Sequence, residues 1–377
     1  MSFELDPLAS PLDGWSATHS AGSFAISCPA PVRERDVVLL GHGSGGRMTA
    51  DLIERMILPA LRNPLLETLD DNALLTLPSG ERLAFTTDSY VVKPLFFPGG
   101  DIGELAVNGT VNDLAMGGAK PLALSLALIL EEGFPLRDLE RVLASIRRAA
   151  DRAEVHIVTG DTKVVDRGSG DGMFVNTAGI GAVPAGVSVG SARVRAGDAI
   201  LLSGTIGDHG VAVLTQRKGL DLSGDHASGE NSTLRSDTAP LNGLVAALLA
   251  ACPDTHAMRD PTRGGLASAL VDIASRHRLG MIVDEAAIPM DEAVRGACEI
   301  LGLDPWIIAN EGKLVAFVPE ASADAALSAL RAHPLGRRAV RIGSVTDAHP
   351  GNVVARIAFG SSRVIDLPMH EALPRIC

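Results

Sequence analysis

Aromatic side chains are scarce in this chain of 377 residues: they make up 3% of it, as two Trp, one Tyr and nine Phe. The 46% hydrophobic content is therefore mostly aliphatic, and a folded core has to be filled by Ala, Val, Leu and Ile. Cysteine is sparse too. Cys28, Cys252, Cys298 and Cys377 stand far apart with no C-x-x-C pair, which speaks against a disulfide framework and a structural zinc site. Basic charge is in deficit, 33 Lys+Arg against 45 Asp+Glu, a net charge of −12. That balance argues against a nucleic-acid binder, which needs a basic face to displace counterions. It suits a nucleotide held through a cation, because carboxylates repel phosphate unless a cation lies between them. No apolar run reaches the ~20 residues of a bilayer span; Pro121 to Leu130 and Gly243 to Cys252 are the longest. The N-terminus shows neither a basic n-region nor an apolar h-region, so the expected compartment is the cytoplasm. A P-loop and the kinase signature set are also missing. ATP chemistry would then rest on metal-bridging carboxylates and a glycine-rich cover.

The length allows about two domains. Residues 1–36, rich in Pro, Ser and Ala, read as a disordered extension. A β-type run at Val37 to Leu40 opens the folded sequence, followed by a glycine loop and a helix face at Met48, Leu52, Ile53, Met56 and Ile57. Strand patterns at 72–77, 82–87, 122–130, 156–159 and 173–183 alternate with helix patterns at 102–116 and 136–152. A break at Val183-Pro184-Ala185-Gly186 separates this part, residues 37–185, from a second α/β part at 186–349. In that second part strands are expected at 199–203 and 314–318, with helices near 210–218, 239–251, 265–277, 291–301 and 323–332. Leu220 to Arg235 is polar and reads as a loop, and residues 350–377 as a closing strand and a mobile tail.

Gly41, Gly43 and Gly46 satisfy G-x-G-x-x-G, with Glu67 and Asp70 downstream, as in a dinucleotide-binding fingerprint. Pro59, Pro64 and the adjacent acids Asp70-Asp71 break the βαβ unit such a site needs, so a loop over nucleotide phosphates is the better reading. Asp70, Asp71, Asp88, Asn112-Asp113 and Asp161 fall at strand ends or in a helix, hard oxygen donors of the kind a magnesium–nucleotide site requires. From these, Asp88, Asn112 and Asp161, with Asp70 or Asp71 in support, are expected to hold Mg²⁺. His42 and His209, each beside glycine, are weaker phosphate-contact candidates, and Arg263 could meet phosphate at a helix N-terminus.

The runs Gly41-His42-Gly43-Ser44-Gly45-Gly46, Thr86-Thr87-Asp88-Ser89-Tyr90, Pro94 to Gly100, Thr159-Gly160-Asp161-Thr162-Lys163, Gly204 to Gly210, Asp260-Pro261-Thr262-Arg263-Gly264-Gly265, Asn310-Glu311-Gly312-Lys313 and Pro374-Arg375-Ile376-Cys377 resemble the HypE family of hydrogenase maturation proteins. The similarity runs from about Val37 to Cys377, and the terminal motif is its most specific element. It implies the two-domain α/β fold of aminoimidazole ribonucleotide synthetase and selenophosphate synthetase, with a homodimer built through the N-terminal sheets. It further implies ATP-dependent dehydration of an S-carbamoyl group on Cys377 to a thiocyanate, the source of cyanide for iron in nickel-iron hydrogenase. ATP and Mg²⁺ follow as cofactors, the carbamoyltransferase HypF and a HypC–HypD complex as partners. Carried onto this chain, Cys377, Lys163 and Glu311 become the catalytic residues. Gly43, Ser44, Gly45, Gly46, Asp88, Asn112, Asp161, Asp208 and Arg263 become the ATP contacts. Two rivals stay open. A small-molecule synthetase of the same superfamily is disfavoured because a selenophosphate synthetase carries a reactive Cys or selenocysteine near its N-terminus beside a lysine, which the 41–48 loop lacks. A non-catalytic scaffold is disfavoured by the intact Asp88, Asn112, Asp161 and Lys163.

Overall fold

The structure, a computed structural model, describes residues 37–219, 234–357, 360–368 and 375–377. The expected extension over 1–36 with Cys28, most of the expected loop at 220–235 and part of the expected tail lie outside the described residues. Helices α1 (Arg47–Leu52) and α2 (Leu58–Leu61) are joined by a π-helical turn. They precede β1 (Ala73–Thr76), β2 (Arg82–Tyr90), a short ribbon of β3 (Phe96–Phe97) and β4 (Gly100–Asp101), α3 (Ile102–Met116), β5 (Lys120–Glu131), α4 (Leu136–Ala153), β6 (His156–Val165) and β7 (Met173–Val183). The sheet order is β1-β2-β7-β5-β6. All neighbours are antiparallel except β5 and β6, whose parallel pairing needs the crossover that α4 supplies.

Side-chain periodicity explains the layering. Along β7 every second residue from Met173 to Val183 is buried, and along α4 Val142, Ile146, Ala149, Ala150 and Ala153 form one apolar stripe, with Val142 and Ile146 packed on Gly103 at the start of α3. Helix α3 is buried on nearly every side, because the sheet lies on one flank and the second half of the chain on the other. Asp101 caps it, its carboxylate accepting from the Gly103 and Glu104 N–H groups. The far face of the sheet stays open, with Phe85, Ile129 and Ile180 44%, 42% and 41% exposed.

The second half contains β8 (Asp198–Leu202), α5 (Asp208–Lys218), α6 (Asn242–Ala251), β9 (Ala257–Arg259), α7 (Gly265–His277), β10 (Gly280–Asp284), α8 (Glu292–Leu301), β11 (Val315–Pro319), α9 (Ala323–Ala332), β12 (Val340–Thr346), β13 (Val353–Arg356) and β14 (Ser362–Ile365). Their sheet runs β14-β13-β10-β12-β8-β11-β9 and carries a core on each face. Strand β8 feeds both, Ile200 and Leu202 on one side, Ala199 and Leu201 on the other. Among the described residues no helix is long and apolar enough to cross a membrane.

The expected β-run at Val37 to Leu40 does not form. A 3₁₀ turn occupies Leu40–Gly43 instead, and His42 Nδ1 accepts the Leu39 N–H, so no strand partner is needed. Strands β3, β4, β9, β10, β12 and β14 are additions to the sequence reading. The expected mobile tail, in its described part, is seated: residues 375–377 lie against β2 and α5, with Ile376 1% exposed.

Candidate active site

Strand β2 aims Thr86, Asp88 and Tyr90 at α3, and Phe85, Thr87 and Ser89 at the open face. The Thr86 hydroxyl lies 2.9 Å from Asp113 Oδ2, fixing that carboxylate on α3. Asp71, just before β1, and Asp260, just after β9, converge on it. Ligand oxygens of Asp71, Asp113 and Asp260 lie within 4.8 Å of one another, close enough to hold one metal ion. Burial and the mutual repulsion of these acids lift the Asp113 and Asp260 carboxyls well above the usual range. Asp71 is pushed up to about 6 by burial, although Arg259, 3.1 Å away, pulls the other way. Asp260 Oδ2 is buried with no hydrogen-bond partner among the described residues. Such an orphaned oxygen is what a cation site leaves behind when described without its ion.

A cleft of about 450 Å³ opens beside this trio, with Gly43, Gly45, Asp88 and Arg263 on its walls. The glycine loop packs so closely on the loop ahead of α7 that a Cβ on Gly45 would sit 2.7 Å from the Arg263 backbone, at a φ of +79°. Arg263 Nη2 lies 3.5 Å from Asp88 Oδ1. The guanidinium is held strongly protonated, first by the charge at Cys377 and then by Asp88.

A smaller cavity of about 20 Å³ shares Asp88, Asp260 and Arg263 with the cleft and is also lined by Cys377, Tyr90 and Glu311. Glu311 is placed by its motif. Asn310 accepts the Gly207 N–H at 2.7 Å and donates to the Pro261 carbonyl at 3.0 Å, stitching three loops together. The Glu311 N–H donates to Asp237, whose other oxygen accepts Lys313 Nζ at 2.8 Å. Glu311 Oε1 is buried without a hydrogen-bond partner among the described residues. Burial first, then Asp260, Asp237 and Asp88, raise its carboxyl well above the ordinary range, against the pull of Arg263. A carboxyl so destabilised as an anion is primed to take a proton.

Several sequence-derived assignments move. Asn112, adjacent to Asp113 on α3, is turned about 100° away from it. Its amide donates to the Ala239 carbonyl and accepts the Leu241 N–H at 2.7 Å, so it joins the two halves of the chain and stands outside the trio of converging acids. Asp161 does not end a strand. It lies within β6, which extends to Val165, and its register partner Ala127 places it on the open face with Lys163. Those two pair with each other at 2.7 Å and are mostly exposed. From Asp88 the register runs through Thr177 and Leu126 to Gly160, three strand spacings, about 14 Å. Asp161 and Lys163 are therefore separated, within one chain, from the trio and from Cys377. Asp208, buried at the start of α5, accepts from Thr205 and lies 3.5 Å from Lys313, outside the cleft. The Ser44 hydroxyl donates to the Gly41 carbonyl at 2.8 Å, closing its own loop, and Gly46 packs on the Pro368 carbonyl. Asp70 lines the cleft beside Asp71 but is not one of the three converging acids. Of the histidines, His42 binds Leu39, and His209 Nε2 lies 2.6 Å from the Ile376 carbonyl, so neither faces the cleft. The residues missed, Asp113 and Asp260, both stood inside quoted motifs. Their signal was an acid beside an amide or directly after a short strand, which only pairing partners can resolve.

Two family models match, AIR synthase related protein, N-terminal domain, over residues 69–183 and the C-terminal domain over 195–356. Carbamoyl dehydratase HypE of Cupriavidus necator is 53% identical over 338 residues, 90% of this chain and 94% of that protein. The chain belongs to the HypE family. The Escherichia coli K12 carbamoyl dehydratase HypE is 46% identical, covering 90% of this chain and 99% of its own length. A solved structure of HypE in complex with ATP superposes with a TM-score of 0.74 at 49% identity, covering 90% of this chain and all of the other. A HypE–HypF complex gives 0.78 at 44% identity, covering 84% and 99%. A ThiL complexed with AMPPCP and TMP, 19% identical with a TM-score of 0.63, shares the fold.

Proposed function

We propose that this protein is an ATP-dependent carbamoyl dehydratase of hydrogenase maturation, converting an S-carbamoyl group on Cys377 into a thiocyanate. The observation that carries this reading is the shared cavity of Cys377 and Glu311, set beside three converging carboxylates and Arg263 at the base of a glycine-lined cleft. An amide oxygen leaves poorly. Transfer of the γ-phosphoryl to that oxygen releases ADP and makes the oxygen part of a phosphate. Loss of the N–H protons and departure of phosphate then form the C≡N bond. Asp71, Asp113 and Asp260, all hard oxygen donors, suit Mg²⁺. Bound there, Mg²⁺ would offset the negative charge of the phosphate oxygens. Gly43 and Gly45 give the phosphates backbone to approach, Arg263 supplies positive charge between phosphate and tail, and Glu311 takes the amide protons.

Lys163 and Asp161 fit this site through a second copy of the chain. The open sheet face carries the exposed Phe85, Ile129 and Ile180, an apolar surface of the kind that pairs. Lys163 lies beside Ile129 on that face, and Ser89, which also points there, lines the Cys377 cavity. A homodimer through this face would bring a partner's Lys163 toward Cys377. HypF as the source of the carbamoyl group, a HypC–HypD complex as the cyanide acceptor and the cytoplasm as the compartment complete the reading.

Mass spectrometry of the C-terminal peptide tests it. Incubation with HypF and its carbamoyl donor should add the elements of HNCO to Cys377, and ATP with Mg²⁺ should then remove one water. A small-molecule synthetase would leave the peptide mass unchanged while consuming ATP, and a scaffold would neither remove water from the peptide nor consume ATP.

A further inference from the structure

Backbone contacts hold residues 375–377. The Val91 N–H donates to the Cys377 oxygen at 3.3 Å and the Lys93 N–H to the Arg375 carbonyl at 3.1 Å. Alternate residues just beyond β2 thus meet alternate residues of the tail, the spacing of an antiparallel pair. Arg217 also donates to the Arg375 carbonyl, and Arg375 pairs with Asp171. Between these points the Ile376 side chain is buried in the main core, and its carbonyl lies 2.6 Å from His209 Nε2.

His209, wholly buried on α5, is itself fixed. Its ring meets Phe97 edge-on at 5.4 Å, and its Nδ1 lies 2.8 Å from Ser236 Oγ. A carbonyl only accepts, so Nε2 must carry the hydrogen. Ser236 Oγ already accepts the Thr238 N–H at 3.1 Å, which leaves its own O–H to donate to Nδ1. Backbone N–H, serine, imidazole and tail carbonyl therefore form one directed chain ending one residue before the thiol. Burial pulls the imidazole below its ordinary range, which favours the neutral ring that such a chain needs.

We propose that His209 is a positioning residue for Cys377: through its Nε2–H it latches the Ile376 carbonyl and holds the thiol in the Glu311 cavity during the dehydration. The proposal rests on Cys377 being the carrier, and it gives this buried histidine a function in the tail rather than at the phosphates. A released tail would still be carbamoylated but would reach Glu311 less often.

The test uses the full-length protein and two readouts, iodoacetamide alkylation of Cys377 followed on the C-terminal peptide, and the rate of water loss from the carbamoylated peptide. His209→Phe keeps the ring and removes the donor. It should raise Cys377 alkylation about five- to tenfold, the scale of one net hydrogen bond, and slow water loss by a similar factor with Mg-ATP affinity unchanged. His209→Gln, whose amide can place an N–H where Nε2 stood, should restore most of both. Equal alkylation of the Phe variant and wild type, a Gln variant indistinguishable from Phe, or faster alkylation with undiminished water loss would each overturn the latch. If His209→Phe fails to fold, shown by alkylation of the buried Cys298, Ser236→Ala carries the test with a smaller shift in the same direction. If wild-type protein never forms the water-loss product, the carrier reading falls instead, and alkylation alone decides whether His209 holds the tail.

Discussion

Glu311 illustrates how burial makes a weak base into a useful one. Its carboxyl, lifted by desolvation and by Asp260, Asp237 and Asp88, holds its proton to higher pH than an exposed glutamate. A base must first be ionised, so the dehydration rate should climb as pH rises through that elevated value. Glu311→Gln should flatten this limb and slow water loss from the carbamoylated tail by about 10²–10⁴-fold, with Mg-ATP binding retained. Calorimetry and peptide mass spectrometry together check both halves. Asp208 sets a different pH dependence. Burial pushes it up to about 6 despite Lys313, while its neighbour Asp237 is held low, after burial's opposing push, by that lysine. A carboxyl whose folded value exceeds its unfolded one of 3.8 binds more protons when folded, so its contribution to stability is present below about 4 and is lost as pH rises through 6. Asp208→Asn should therefore gain on wild type between pH 4 and 7, by at most about 3 kcal/mol, and by less where the oppositely shifted Asp237 compensates. Urea melts at the two pH values measure the gap; a gap that shrinks on going to pH 7 contradicts the assignment.

Among the elements, α3 governs the site because it is buried on nearly every side and delivers Asp113 on one flank and Asn112 on another. Its approach to β2 depends on Gly109, where a Cβ would come within 2.1 Å of the Tyr90 hydroxyl. Alanine is favoured in a helix by about 1 kcal/mol, but forcing the tyrosine aside in a packed core costs about 1–3 kcal/mol or more. Gly109→Ala should accordingly lower stability and disturb the cavity that Tyr90 shares with Cys377. A melting temperature equal to or above wild type would mean that β2 yields freely. The sequence made the long periodic elements legible, α4 from its apolar stripe and β7 from its alternation, and it placed Glu311, Arg263, Gly43, Gly45, Asp71 and Asp88 in motifs that do converge. It could not tell which face of a strand a motif occupies. Asp161 and Lys163 fell on the open face because β6 pairs with β5 in the register that sets Asp161 beside Ala127, and a slip of one residue would have turned them inward. Likewise Asn112 and Asp113 are neighbours in sequence but not in direction, and only the Thr86 contact singles out Asp113.

At the scale of the whole molecule, the separation of Lys163 from Cys377 becomes a prediction about assembly. Within one chain Lys163 sits on β6, and the strand register puts about 14 Å between Asp88, which lines the Cys377 cavity, and the Asp161 strand. No side-chain rotation carries a lysine across three strands. If Lys163 contributes to the dehydration, it must act on the Cys377 of another copy, which the open face with Phe85, Ile129 and Ile180 would bring into contact. Two inactive proteins can then rescue each other. In Lys163→Ala every Cys377 lacks its lysine, and in Cys377→Ala every lysine lacks its cysteine. Mixed under conditions that exchange subunits, a heterodimer restores one complete site, Cys377 from the first chain and Lys163 from the second. Random exchange of equal amounts makes about half of the dimers mixed, so water-loss activity should return to about a quarter of the wild-type sites. Lysine action within a single chain predicts no recovery at any mixing ratio, because neither parent brings both residues on one chain. Wild-type protein that sediments as a monomer while dehydrating its carbamoylated tail would remove the second copy from the site altogether.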